Sequence, residues 1–153
     1  MTFEDLIAEH LDAAYNLARW LTRNPHDAED LVQEASLRAL RGFAGFHGDK
    51  GKPWFLTIVR NTCYTWLKKN RAREFALFDE QIHSPDKPAV DRVMLKEALE
   101  ALPLEFREAL VLREIEGLTY REISEVTGVP IGTVMSRLNR ARAQLRMKDA
   151  EEK

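Results

Sequence analysis

Thr133, Arg137, Arg140 and Gln144 recur at three- and four-residue intervals, and no Asp or Glu occurs between Glu125 and Asp149. Within that acid-free stretch, residues 137–148 carry Arg137, Arg140, Arg142, Arg146 and Lys148. Side chains three or four apart share one face of a helix, so this spacing makes a cationic stripe. A stripe of that kind neutralises phosphate groups. Just ahead of it stand Ile131, Gly132, Thr133 and Ser136, with small residues at 132 and 133 that allow close approach to a duplex. A helical hairpin with a solvated basic face would also show the stripe. It would not need the two helix starts that frame this one.

Those starts are written into residues 117–146, GLTYREISEVTGVPIGTVMSRLNRARAQLR. Thr119 and Glu122 have capping-box spacing. Ile123 and Val126 give the helix an apolar side, and Gly128 suits the left-handed residue that ends it. Pro130 is placed to open a second helix. Val134, Leu138, Ala141 and Leu145 then recur with helical period and point to a core. The pattern is a helix-turn-helix, which sets the first residues of its second helix against base edges in the major groove. The expected contacts are Ile131, Gly132, Thr133, Ser136, Arg137 and Arg140, with Arg137 nearer the bases and Arg140 on phosphate.

Two other windows carry a single sign of charge. Residues 60–73 hold Arg60, Lys68, Lys69, Arg71 and Arg73 and no acid. With Trp54, Tyr64 and Trp66 beside the loop GFAGFHGDKGKP, this window suits unpaired DNA, because aromatic faces take stacked bases and cations follow the backbone. Asn61 and Lys68 are expected to share its exposed face, whereas Trp66 and Phe55 fall on the inward stripe. Residues 26–34 are purely acidic, with Asp27, Glu29, Asp30 and Glu34. That window repels DNA, so it should face solvent or a basic protein partner.

The whole chain bounds the rest. Its 153 residues suffice for one domain or two small ones, and 44% are hydrophobic, enough for a packed core. The net charge of −2 hides an asymmetry: residues 1–73 carry 11 basic and 9 acidic side chains, and residues 74–100 carry 3 and 7. No run reaches the roughly 18–20 apolar residues of a membrane span. The acidic, amphipathic start MTFEDLIAEH is the wrong chemistry for a signal peptide. Cys63 is the only cysteine, so no internal disulfide or cysteine-based zinc site forms. His10, His26, His47 and His83 are scattered, which predicts no metal site, no cofactor and no catalysis. A cytoplasmic location is expected.

Helical periodicity runs throughout, so the expected fold is all-α. Helices are predicted over about 3–22, with Leu6, Leu11, Leu17 and Leu21 inward, and about 25–42, with Ala28, Leu31, Val32, Ala35 and Leu40 inward. A third runs over about 53–71. Residues 74–90, with two prolines and no sustained stripe, read as a linker. Its 17 residues span at most about 55–60 Å, more than the roughly 34–36 Å of one DNA turn. A second helical unit follows, from Leu95, Ala98, Leu99 and Leu102 through a helix of about 103–115, with Ile115 in its core, to the helix-turn-helix. The layout is two small helical domains, 1–73 and 91–148, joined by a flexible 74–90 segment.

Four segments together carry a family resemblance: DAEDLVQEASLRAL (27–40), KPWFLTIVRNTCYTWLKKNR (52–71), ALPLEFREALVLREIEGLTYREISEVTG (101–128) and VPIGTVMSRLNRARAQLR (129–146). In order and spacing they resemble the extracytoplasmic-function sigma factors of the sigma-70 family. The resemblance implies a sigma-two-like domain that melts and reads the −10 promoter element and a sigma-four-like domain that reads the −35 element. Both would act only with core RNA polymerase, through the beta-prime coiled coil and the beta subunit. Asp27, Asp30, Leu31, Gln33, Glu34 and Arg38 would supply the polymerase-docking surface. Arg60, Asn61, Lys68 and Lys69 would contact the −10 element, the loop before them would hold an unstacked base, and helix 130–146 would read the −35 element. The resemblance also implies an anti-sigma factor as partner, and the short tail after Leu145 implies no further regulatory domain. A stand-alone helix-turn-helix regulator is the alternative, but it leaves residues 1–73 without a role.

Overall fold

A computed structural model of the chain describes residues 2–48, 50–70 and 91–152, with side chains over 96–146 in the last stretch. The 74–90 linker, Arg71, Arg73, His83 and the Lys148 side chain lie outside the described residues. Seven α-helices and no strand are found among the described residues. They are α1 (Phe3–Thr22), α2 (Pro25–Gly42), α3 (Gly51–Lys69), α4 (Asp91–Ala101), α5 (Leu104–Leu110), α6 (Tyr120–Thr127) and α7 (Ile131–Glu152).

Local chemistry sets most of the boundaries. The Thr2 hydroxyl accepts the Asp5 N–H, and the Asp5 carboxylate accepts the Thr2 N–H, which starts α1. Arg23 closes α1 in the left-handed region at φ 58°. The Asn24 side chain then accepts the N–H groups of His26 and Asp27, with Pro25 at the first position of α2. In the second half, Thr119 and Glu122 make the expected capping box of α6, and Gly128 ends it at φ 76°. Losing such a cap costs about 1 kcal/mol.

α1, α2 and α3 pack on one another through Leu6, Leu17, Leu21, Phe55, Leu56 and Val59, all fully buried. α6 and α7 pack through Ile123, Val134 and Leu138. The halves are not held apart: α3 lies against α6, α1 lies against α5, and the buried side chains form one continuous cluster.

Three expected core residues are exposed instead: Leu11 at 44%, Leu40 at 54% and Ile115 at 46%. In α2 the buried set is Ala28, Leu31, Val32, Ala35 and Ala39, and Leu40 stands about 100° further round the helix. Ile115 is displaced by a π-helical turn, Val111–Ile115, that continues α5. The Glu116 N–H reaches the Val111 carbonyl, five residues back, at 3.0 Å. The extra residue in that turn leaves Ile115 outside and Glu116 buried.

Candidate nucleic-acid interface

The basic side of α3 divides into an open part and an enclosed part. Asn61, Thr65, Lys68 and Lys69 are exposed. Arg60 and Tyr64, read from the sequence as part of the same open face, are turned into the contact with the second half. Arg60 Nε donates to Glu108 Oε2 at 2.9 Å, and the Tyr64 hydroxyl donates to Glu108 Oε1 at 3.1 Å. The Arg60 guanidinium also stacks 3.7 Å above the Tyr64 ring. Glu108 comes from α5 and is wholly buried. Burial pushes its carboxyl above the usual range, against the pull of Arg60 and Tyr64. Burial works against the charge on Arg60 too, but Glu108 more than offsets this and holds its pKa above the ordinary value. Sequence reasoning missed Glu108, because a lone acid inside an apolar helix stripe gives no sign of a partner 48 residues away.

Two further ties cross the same boundary. Lys52 donates to the Glu116 carbonyl at 2.7 Å, and its ammonium lies 3.5 Å from the Glu116 carboxylate. Arg23 donates to the Glu100 carbonyl at 3.2 Å.

On α7, Ile131, Gly132, Met135, Ser136, Asn139 and Arg140 are exposed. They form two i, i+4 rows along one face. Thr133 and Arg137 are only partly exposed, which corrects the outward stripe drawn through Thr133, Arg137, Arg140 and Gln144. Position 137 follows the buried Val134 by three residues and precedes the buried Ala141 by four, so it flanks the core stripe. Its guanidinium sits 3.7 Å from Glu105, with 18% of the side chain exposed. Met135 and Asn139 were missed; taking the face opposite Val134, Leu138 and Ala141 would have found them.

On α2, Asp30, Gln33, Glu34 and Arg38 share an exposed face, and Glu34 accepts from Arg38 at 2.8 Å. Leu37, 57% exposed, lies among them and was not anticipated. Leu31 is 3% exposed and belongs to the core, so its assignment to a docking surface is corrected. Asp27 is partly buried at the start of α2, where helix N–H groups favour a negative charge.

The Gly-rich loop is organised by its aromatics. Phe46 stacks on Trp54 with ring centroids 4.8 Å apart, and Phe43 meets Phe3 edge-on at 5.5 Å. Beside them lies an open cleft of about 460 Å³ lined by Phe46, His47, Lys50, Trp54 and Thr57 on one side and Glu125 of α6 on the other. Among the described residues no cluster of His, Cys, Asp and Glu is arranged to hold a metal ion, and no helix is long and apolar enough to cross a membrane.

Residues 6–73 match the family Sigma-70 region 2, and residues 92–145 match Sigma-70 region 4. The chain is 38% identical over 158 residues to the ECF RNA polymerase sigma factor SigE of Mycolicibacterium smegmatis, covering 95% of this chain and 60% of that protein. To SigM of Bacillus subtilis, also an ECF RNA polymerase sigma factor, it is 30% identical over 154 residues, covering 95% of this chain and 94% of its relative. The chain belongs to the ECF RNA polymerase sigma factors. The fold of this sigma factor is shared by a solved structure of RpoE from Bartonella quintana, bound there to the anti-sigma factor NepR. That match has a TM-score of 0.78 at 32% identity and covers 95% of this chain and 94% of RpoE. Region 2 accounts for α1–α3, the half of the sigma factor that a stand-alone helix-turn-helix regulator would not need.

Proposed function

We propose that this sigma factor brings core RNA polymerase to promoters and opens them, with residues 1–73 serving the −10 element and residues 91–148 the −35 element, joined by 74–90. The observation that carries this reading is the exposed, acid-free face of α7 in a helix-turn-helix, set in a chain that SigM matches over almost its whole length. Arg140, Ser136, Gly132 and Ile131 stand on that face beside Met135 and Asn139 and would meet the −35 duplex. Thr133 and Arg137 border it. Asn61, Lys68 and Lys69 would follow the −10 strand, with Arg60 joining them once it leaves Glu108. The Phe46–Trp54 cleft would take an unstacked base.

The acidic face of α2, with Asp30, Gln33, Glu34, Leu37 and Arg38, and Asp27 at its edge, would dock on the beta-prime coiled coil, and the second half would meet the beta subunit. RpoE and its NepR complex support an anti-sigma factor as a further partner. The reading assigns the sigma factor to the cytoplasm, with no cofactor and no catalytic activity of its own. Melting several base steps at about 1.4 kcal/mol of stacking each is more than one small basic face supplies, which is why polymerase is required.

The test is reconstitution with core polymerase on promoter DNA, reading permanganate-reactive thymines for opening and a duplex footprint for binding. Asn61→Ala, or a shortened 45–51 loop, should reduce opening more than −35 binding. Equal loss of both would leave the loop and α3 only structural, and strand opening by the isolated protein would overturn the polymerase-dependent mechanism.

A further inference from the structure

Glu108 of α5 lies between α3 and α7, the two helices read here as promoter-facing. Its two carboxylate oxygens are occupied by Arg60 and Tyr64 of α3. From the other side it lines, with Arg137 of α7, a crevice too tight for water that Glu105, Ile123 and Thr127 also line. Arg137 is engaged with Glu105, but at 3.7 Å and with a carboxylate 59% exposed. Such a pair contributes little and is easily given up.

We propose that Glu108 is a two-position counter-ion: it holds Arg60 while the halves are closed and takes Arg137 when they part. Closure thereby withdraws Arg60 from DNA, with a carboxylate standing where a promoter phosphate would otherwise accept the guanidinium. Both are oxyanions suited to an Arg donor. Opening costs Glu108 its partner from α3 and leaves it Arg137, the cation of its own half that already acts on it in the closed chain. Arg137 lies within reach and gives up only its exposed pair with Glu105. Arg137 is then a positioning residue for α5 and α7 rather than a base reader. This device rests on the reading of α3 as a promoter-facing helix, and its test is kept separate from that reading.

The experiment uses the full chain without DNA or polymerase. Nitroxides on Glu29→Cys and Arg121→Cys, both exposed positions, report the separation of the halves by electron–electron double resonance. The otherwise native chain should give a short, narrow distribution, and both Glu108→Ala and Arg60→Ala should broaden it to longer distances. Arg60 is partly exposed even in the closed chain, whereas Glu108 is wholly buried, so Arg60→Ala remains informative if Glu108→Ala misfolds. An unchanged distribution in a folded Arg60→Ala protein overturns the latch.

The re-pairing has its own readout. Arg137→Ala should lower the urea midpoint further in the Arg60→Ala background than in the native chain, because Glu108 depends more on Arg137 once Arg60 is gone. Equal losses overturn that step. Opening the latch should also strengthen apparent binding to core polymerase by the reciprocal of the native open fraction, on the order of tenfold if about a tenth of the chain is open. If Arg60→Ala separates the halves yet leaves promoter opening at the native level, the latch stands and the assignment of Arg60 to promoter DNA falls.

Discussion

Arg107 Nε donates to the Trp20 carbonyl at 2.7 Å, tying α5 to the last turn of α1 across 87 residues of sequence. The same guanidinium donates to the carbonyls of Leu21, Glu100 and Leu102, and the residue is 2% exposed. A cation suits the end of α1, where unpaired carbonyls carry partial negative charge. It serves carbonyls of both halves at once, so it is a structural centre of the closed form.

Arg107→Ala should therefore destabilise the whole chain. Hydrogen bonds from a charged donor contribute about 1.5–3 kcal/mol each, and their loss is not additive. We expect a loss of at least about 3 kcal/mol in urea unfolding followed by helical signal, with Arg107→Lys recovering only part because an ammonium cannot span the same carbonyls. A midpoint within error of the native chain would remove Arg107 from this role.

Reversing Asp30 and Glu34 to Lys should weaken binding to core polymerase while leaving helical content unchanged. Both side chains are exposed, and surface ion pairs such as Glu34–Arg38 contribute only about 0–1 kcal/mol. Leu37→Ala should add to the loss, since its exposed side chain lies within the same face. Native affinity in the folded double reversal would show that α2 is not the docking surface.

The two arginines of α7 should separate in a promoter library. Arg140 is exposed, and Arg140→Ala should reduce output from promoters in general, with a shallower salt dependence if its partner is phosphate. Arg137→Ala should change thermal stability more than the preferred −35 sequence. If it relaxes the base preference at one position, where a forked arginine is worth about 1–3 kcal/mol, then Arg137 turns outward on the promoter and reads a base.

The Cys63 thiol is buried in α3, and burial, reinforced by Glu108 and Glu34, pushes its pKa up to about 12. It should resist an aromatic disulfide reagent at pH 8 and react at the ordinary rate only in denaturant. The sign for stability follows from the thiol staying protonated in the folded chain. This contribution is fully present below the ordinary thiol value of 9.0 and is lost as pH rises from there toward about 12. Fast labelling of the native chain at pH 8 would contradict the burial of this face.

Much of the chain was legible because its signals are local. Thr2, Asn24, Thr119, Gly128 and Pro130 act on backbone groups within a few residues of themselves, so helix starts and stops could be read directly. The helix-turn-helix and the acidic face of α2 were legible for the same reason. Two of the errors were small rotations: Leu40 for Ala39, and a stripe through Arg137 in place of the face through Ser136 and Asn139. A helix advances about 100° per residue, so one position of misjudgement moves a side chain from core to surface.

Sequence alone determined which helices form, the acidic face of α2, and the resemblance that residue order and spacing carry. Tertiary structure alone decided that α3 meets α6, that a π turn puts Glu116 inside and Ile115 outside, and that Arg60 is held by Glu108. The contacts between the halves join groups 44 to 87 residues apart. No periodicity within a helix specifies the partner of a buried charge: the charge is stable only where a distant segment brings its counter-ion, and that is settled by how the helices pack.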